Sequence, residues 1–484
     1  MVANVKSPLR PSTILAILLA FTAGGHSTDA EFDLVILNGK VMDPESGLNA
    51  VRNVGVAEGK VTRITRDQIV GTELIEARGL VVAPGFIDLH QHAQDDASYR
   101  FKALDGVTTA LELEVGTADV DAWYAQRAGK TPIHHGVSVG HMKVRMSVMG
   151  DKPTFLAGSK SGAATETADA KQTAALKAGI RRGLDRGAVA VGFGLAYTPM
   201  AARSEILEIF KVAADYAAPC HVHMRTGGSL EPGGIAGLQE LVANAVISGA
   251  PLHIVHIQST GKRVTPQLLD MVASAQANGV DITAECYPYT AGMTDIRAAF
   301  FNPGWRQKFG LDYHHMQWAA TGERLTEETF LKYRKTGGLL ILHTNPEEIV
   351  TAAVVHPSIM VASDGLKGHP RNAGTFCRIL GHYVRDTGAL PLMEGLRKIT
   401  LMPAKHLERR TPAMKNKGRV KVGADADLVI FNPRTISDRA TFMEASHPSV
   451  GIQHLLVGGQ RVVRDGKFLA SVNVGKPVRA PIRR

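Results

Sequence analysis

The sequence predicts an α/β fold: a TIM (β/α)8 barrel joined to a small β-sandwich domain that the N- and C-terminal segments form together. In the middle of the chain, short apolar runs alternate with helical stretches, which is typical of repeated βα units. Both ends instead carry short alternating runs that are broken by turn sequences. With 484 residues and 44% hydrophobic content, the chain is long enough to bury both cores.

The two ends of the chain share one pattern. Dipeptides such as Asn38-Gly39 separate the apolar runs near the N-terminus, and similar Asp-Gly and Gly-Gly pairs separate those near the C-terminus. These pairs favour tight turns between antiparallel strands. We therefore expect residues 31–82 and 404–484 to pair into one β-sandwich domain.

Residues 83–403 are predicted to form the barrel. The eight candidate strands are 81–89, 107–113, 133–140, 187–194, 219–223, 251–257, 280–286 and 359–363. The stretch 291–357, between the last two strands, is far longer than an ordinary connection and rich in aromatic residues. We interpret it as a lid beside the site; an insertion that packs away from the substrate is the alternative.

The first 30 residues have the layout of a cleavable secretory signal. Lys6 and Arg10 precede the apolar run 13–23, and small and polar residues follow it. The run is too short to cross a bilayer as a helix. We expect residues 1–30 to be removed and the mature protein to be periplasmic or secreted, without membrane attachment; a retained anchor is the alternative.

Composition narrows the class of partner. The formal charge is +10, but the basic residues are spread along the chain without interleaved aromatic residues, which argues against nucleic-acid binding. Three cysteines in a chain of this length do not indicate a disulfide framework. We expect a small-molecule substrate, and the sequence is compatible with a homo-oligomer.

Candidate metal ligands lie where the apolar runs end. The first strand ends in His90 and His92, two residues apart and therefore on one side of an extended backbone. His223, His256 and Asp364 lie at the ends of strands five, six and eight. Imidazoles and carboxylates are zinc ligands, and a barrel interior does not keep such groups unpaired without a metal or substrate.

Strand two adds two acids, Glu112 and Glu114. Residues two apart on a strand face the same side, so both acids are able to point inward. We favour Glu114 as a metal ligand. A salt bridge in the barrel wall is the alternative for either acid.

Several longer motifs resemble one known family. They are Pro84 to His92, Gly106 to Thr109, Gly194 to Tyr197, His223 to Arg225, Tyr287 to Thr290, Ser363 to Leu366 and Gly423 to Leu428. The likeness is to the amidohydrolase superfamily and, within it, to the N-acyl-D-amino-acid deacylases, or D-aminoacylases. It covers nearly the whole mature chain.

This resemblance implies roles for the candidate residues. His223 and His256 match ligands of a tightly held zinc, and His90 and His92 match ligands of a second, weaker site. Asp364 matches the catalytic carboxylate, which also contacts the metal.

For the substrate, Arg371 and Tyr287 match residues that hold and orient a carboxylate. Two positions depart from the family. The usual cysteine ligand of strand two is replaced by Val115, so Glu114 is expected to take its place, and a substrate-binding lysine is replaced by Gln258.

The predicted activity is zinc-dependent hydrolysis of a linear amide bond in N-acyl amino acids, with a preference for the D configuration and with Asp364 as general base and acid. A dipeptidase or a cyclic-amide hydrolase of the same superfamily is the alternative within enzymes. A catalytically silent scaffold is the alternative outside them, and the intact set of histidines with Asp364 argues against it.

Overall fold

A computed structural model of the protein describes residues 1–3 and 31–483, so the predicted secretory signal, beyond its first three residues, lies outside the described part. The first strands are β1 (Leu34–Asp43), β2 (Leu48–Ala57), β3 (Lys60–Thr65), β4 (Glu73–Glu76) and β5 (Val81–Pro84). The next are β6 (Phe86–Asp88), β7 (Val107–Thr117), β8 (His134–Gly140), β9 (Val191–Gly194), β10 (Cys220–His223), β11 (Leu252–Ile254) and β12 (Ile282–Cys286). The last are β13 (Gly292–Asp295), β14 (Met316–Trp318), β15 (Leu339–Leu342), β16 (Ile359–Val361), β17 (Leu428–Phe431), β18 (Ile452–Val457), β19 (Gln460–Arg464) and β20 (Lys467–Phe468).

The predicted barrel is confirmed. Strands β6 to β12 and β16 form one 8-stranded sheet whose neighbours follow the order of the sequence. All of its ladders are parallel. A bridge between Gln91 and Gly365, just beyond β6 and β16, nearly closes the sheet on itself. The carboxyl ends of the strands therefore meet around one mouth.

The run predicted as the first barrel strand, 81–89, is two strands. Val81–Pro84 pairs in the β domain, so that sheet extends past residue 82, and only Phe86–Asp88 belongs to the barrel. The break falls at Gly85, where a Cβ atom would lie 2.2 Å from Thr108 Cγ2. Only glycine allows the backbone to pass so close to this side chain.

The two ends of the chain pair into one small β domain, as predicted. Its strands form a 9-stranded sheet in the order β20-β19-β18-β17-β5-β1-β2-β3, with β4 beside β1. The antiparallel pair of β17 with β5 joins the C-terminal half to the N-terminal half. Ile36, Val54 and Ile430 are fully buried in its separate apolar core.

The final residues leave this domain. Val478 donates a hydrogen bond of 2.7 Å to the carbonyl oxygen of His135, and Ala480 donates one of 3.0 Å to that of Gly187. Both acceptors lie at the amino ends of barrel strands or just before them. The predicted segment 404–484 therefore contributes to the β domain and also covers the lower face of the barrel.

Helices surround the barrel. They are α1 (Asp96–Leu104), α2 (Val120–Arg127), α3 (His141–Val148), α4 (Gly162–Thr165), α5 (Ala170–Asp185), α6 (Arg203–Asp215), α7 (Gly234–Ser248), α8 (Ile257–Gly261), α9 (Thr265–Ala277), α10 (Trp305–Phe309), α11 (Glu327–Thr336), α12 (Glu347–Val355), α13 (Arg371–Arg378), α14 (Leu392–Ile399) and α15 (Leu401–Leu407). Helix α5 shows why they pack: it buries Leu176, Ile180 and Leu184, which are spaced by four residues on one face. Within the described ranges, no helix has the length and apolarity needed to span a membrane.

The stretch 291–357 folds around its own small sheet. Strands β13, β15 and β14 pair antiparallel, and the helices α10 and α11 lie in the same segment. Phe301, Trp305 and Phe330 pack together in the core of this unit.

Candidate metal centre

Six side chains from the carboxyl ends of barrel strands come together in the structure. Their ligand atoms form two groups, each within 4.8 Å: His90, His92, Glu114 and Asp364; and Glu114, His223 and His256. These are the six positions that the sequence singled out as metal ligands. Glu114 belongs to both groups, so it lies at the centre of the cluster.

The contacts of Glu114 show how it connects the histidines. Its Oε2 atom lies 2.6 Å from Nε2 of His90, and its Oε1 atom lies 3.0 Å from Nδ1 of His223. Oε2 is also 3.4 Å from His92 Nε2 and 3.9 Å from His256 Nε2. One carboxylate therefore faces all four imidazoles.

The cluster carries surplus negative charge. Burial alone would lower the pKa of His90, but the charges of Asp364, Glu285 and Glu114 raise it to about 10. Burial and the neighbouring His223 lower the pKa of His256 to about 4, so this imidazole is neutral and able to donate a lone pair. Nitrogen and carboxylate donors around an excess of negative charge fit a divalent cation such as zinc.

Two residues of the cluster have unusual backbones. His256 has φ 33° and Asp364 has φ 48°, both in the left-handed region that non-glycine residues seldom adopt. Each directly follows the end of an apolar run at the barrel mouth. Strain of this kind persists where the surrounding structure fixes a side chain for function.

A second layer of carboxylates orients the histidines. Glu285 Oε1 lies 2.6 Å from Nδ1 of His90, and Glu112 Oε2 lies 2.7 Å from Nδ1 of His92. With Nδ1 held from behind, each Nε2 atom is directed at the centre. Glu112 also accepts hydrogen bonds from the backbone N–H groups of Val115 and Gly116, so it supports the cluster from the strand wall instead of entering it.

Glu285 did not emerge from the sequence analysis. It lies in β12, two residues before Tyr287, and is buried with its other oxygen 3.1 Å from Nε2 of His253. The sequence did contain one indication of its role, because an acid inside an otherwise apolar barrel strand requires a buried partner. That partner is His90, which only the fold brings close.

Asp364 connects the cluster to the predicted carboxylate-binding residues. Its Oδ1 atom is 3.2 Å from His92 Nε2, and its Oδ2 atom is 2.8 Å from an Nη atom of Arg371. The Arg371 guanidinium is fully buried and lies over the Tyr287 ring, 4.6 Å from its centroid. Among the described residues, its Nε and Nη1 atoms have no hydrogen-bond partner. Arg371 therefore has unused donors, but its side chain is fully enclosed and does not line the cavity above the cluster.

A cavity opens above the cluster. His92, Glu114, His223, His256, Tyr287 and Asp364 line its floor and lower wall. The segment 291–357 supplies apolar wall residues, among them Phe300, Phe309, Leu311 and Leu342. Its movement as a lid stays a prediction.

The two departures from the family occupy different places. Val115 lines the cavity beside Glu114. Gln258 is fully buried and donates a hydrogen bond of 2.9 Å to the backbone carbonyl of Tyr287. It therefore supports the cavity-lining Tyr287 from behind.

Comparison with known proteins finds deacylases that are similar to this chain over about nine-tenths of its length. The chain is 26% identical to a D-aminoacylase of Alcaligenes xylosoxydans xylosoxydans, over 92% of this chain and 97% of the relative. It is 28% identical to an N-acyl-D-glutamate deacylase of the same organism, over 89% and 93%. The crystal structure of N-acyl-D-glutamate deacylase from Bordetella bronchiseptica, complexed with zinc and a phosphonate inhibitor, superposes with a TM-score of 0.78 at 25% identity, covering 93% of this chain and 100% of that one.

The sequence profile of the Amidohydrolase family matches residues 73–463, which span the barrel and the strands that flank it. Together with the barrel, the cluster at its mouth and the full-length relatives, this match shows that the chain is a hydrolase of carbon–nitrogen bonds other than peptide bonds and belongs to the amidohydrolase family.

Proposed function

We propose that this protein hydrolyses the linear amide bond of N-acyl-D-amino acids, with zinc held by the cluster and Asp364 as general base and acid. The observation that carries the proposal is the position of Asp364, which contacts the histidine cluster through one oxygen and Arg371 through the other. A catalytic carboxylate thus lies between a metal site and a site for a substrate carboxylate.

We assign the tightly bound zinc to His223 and His256, with Glu114 as the ligand that replaces the family's cysteine. His90 and His92 then belong to a second, weaker site that shares Glu114 and Asp364. These residues would hold the zinc, whose chemistry would be to lower the pKa of a bound water and to polarise the amide carbonyl.

Asp364 moves the proton in this scheme. Burial would raise its pKa, but Arg371 and His90 hold the pKa well below its usual range, so the carboxylate is ionised and able to accept a proton. It takes the proton from the attacking water and later gives it to the amine nitrogen as the C–N bond breaks. The products are a carboxylic acid and a free amino acid.

Arg371 and Tyr287 position the amino acid. The Arg371 donors without a partner match a carboxylate, which binds a guanidinium through two parallel hydrogen bonds. The Tyr287 hydroxyl is fixed by a hydrogen bond of 2.7 Å to Ser259 and one of 3.1 Å from Asn345. Such fixed groups hold the amide close to Asp364 without further ordering.

The test is metal analysis of purified protein together with a substrate panel. We expect bound zinc and hydrolysis of N-acetyl-D-amino acids in preference to their L enantiomers, dipeptides and hydantoins. Asp364→Asn should lose hydrolysis while keeping the tightly bound zinc. Hydrolysis of hydantoins or dipeptides without any turnover of N-acyl amino acids would assign the site to one of the alternative activities.

A further inference from the structure

Lys262 places a cation on the wall of the cavity above the cluster. Its Nζ atom donates a hydrogen bond to the backbone carbonyl of Phe309, and no carboxylate of the described residues pairs with it. An ammonium group has three donors, so this lysine has capacity left for a ligand. Burial lowers its pKa to about 8, which reflects the cost of a charge without a counter-ion.

Two other cations near the cavity have carboxylate partners within the protein. Arg371 pairs with Asp364 at 2.8 Å, and Arg225 pairs with Glu240 at 2.9 Å. Lys262 differs from both because, among the described residues, its side chain donates to the backbone carbonyl of Phe309 and forms no ion pair with a carboxylate. A ligand with negative charge is the partner that this position lacks.

The backbone holds Lys262 in place. The residue has φ 50° and ψ −128°, a conformation that costs free energy for any residue with a side chain. It directly follows α8, the short helix that begins after His256. One strained segment therefore carries both a histidine of the metal cluster and the cation, so their relative positions are fixed.

Lys262 also borders an outer cavity that adjoins the first. Arg263, His315 and His343 line this outer space with it, and Glu347 is the acid there. Glu347 already accepts a hydrogen bond of 2.9 Å from the hydroxyl of Tyr383. Among the residues that line this route, two cations, Lys262 and Arg263, therefore stand against one acid, which favours an anionic ligand.

We propose that Lys262 binds a second anionic group of the substrate, a carboxylate carried by the side chain of the amino acid. This inference rests on the proposed function and narrows its substrate class to N-acyl derivatives of acidic amino acids. Arg371 would hold one carboxylate beside Asp364, and Lys262 the other at the far end of the cavity.

The experiment compares N-acetyl-D-glutamate with N-acetyl-D-glutamine, which differ only in the charge of the side chain. Binding is measured by calorimetry and turnover by amine release, for the wild type, Lys262→Met and Lys262→Arg. Lys308→Met is the control, because Lys308 is a partly buried lysine of the same region that does not line the cavity. Circular dichroism and thermal melts check that each variant is folded.

We expect the wild type to prefer the glutamate derivative. Lys262→Met should lose about 10- to 100-fold in affinity for it, the range of a hydrogen bond to a charged group, with the glutamine derivative unaffected. Lys262→Arg should restore part of the loss, and Lys308→Met should match the wild type.

An unchanged preference in Lys262→Met overturns the inference, as does an equal loss for both ligands, which would place the α-carboxylate at Lys262. Hydrolysis of both compounds without a contribution from Lys262 leaves the proposed function intact. Binding that depends on Lys262 without any turnover would instead remove the proposed function and leave the anion site.

Discussion

Replacing Glu114 by glutamine removes one negative charge from the centre of the cluster and preserves the shape of the side chain. The carboxylate contacts His90 at 2.6 Å and His223 at 3.0 Å, so it serves both groups of ligands. A carboxylate that only orients a metal-binding imidazole contributes about 10- to 100-fold to metal affinity. Because Glu114 faces the centre directly, we expect its loss to exceed about 100-fold, or about 3 kcal/mol.

The assay titrates zinc into metal-free protein against a chromophoric chelator. Glu112→Gln is the matched control, with the same chemical change two residues away on the same strand. Glu112 lies behind His92, 2.7 Å from its Nδ1 atom, so its loss should weaken only the second zinc, by about 10- to 100-fold. Wild-type affinity in Glu114→Gln, or a larger loss in Glu112→Gln, would refute the assignment of Glu114 as the shared ligand.

Three further outcomes are expected. His223→Ala and His256→Ala should each lose the tight zinc and all hydrolysis, and near-stoichiometric zinc in either variant would contradict the ligand assignment. N-terminal sequencing of exported protein should begin close to Glu31; an intact N-terminus on cytoplasmic protein would contradict a cleaved signal. Asp427→Asn should lower the free energy of unfolding at pH 7 by about 3 kcal/mol, because it removes a buried partner 2.6 Å from Lys417. Burial would raise the pKa of Asp427, but His134 and Lys417 hold that pKa well below its usual range. The stabilisation should therefore fade in denaturation curves as the pH falls below about 4.

The positions of the cluster residues were predictable because a parallel barrel has a strict rule. Every strand runs the same way, so the residue that follows each apolar run reaches the same mouth. His90, His223, His256 and Asp364 follow four such runs, and their convergence needs no knowledge of exact distances. The rule also placed Glu114 near them, and its position beside Val115, where the related family has a cysteine ligand, favoured it over Glu112.

The orienting contacts were not predictable in the same way. Glu285 and His90 are separated by 195 residues and meet only because side chains from the first and seventh barrel strands converge in one barrel. The break of the first predicted strand at Gly85 depends on the close approach of the Thr108 side chain to the Gly85 backbone. The apolar sequence of residues 81–89 does not reveal this contact. Likewise, the sequence does not reveal that Lys262 lines a cavity without a carboxylate partner among the described residues; this follows only from the fold.

The pairing of Val81–Pro84 with Leu428–Phe431 has a consequence for how the protein is made. Strands emerge from the ribosome in order, yet β5 finds its β17 neighbour only after the whole barrel and its insertion have been synthesised. Contacts between such distant segments form late, because a long loop must close before they contribute. Until then β5 has an unpaired edge, open to association with other chains. We therefore expect the β domain to be the last unit to assemble, and a chain that stops before residue 428 to leave that edge uncovered.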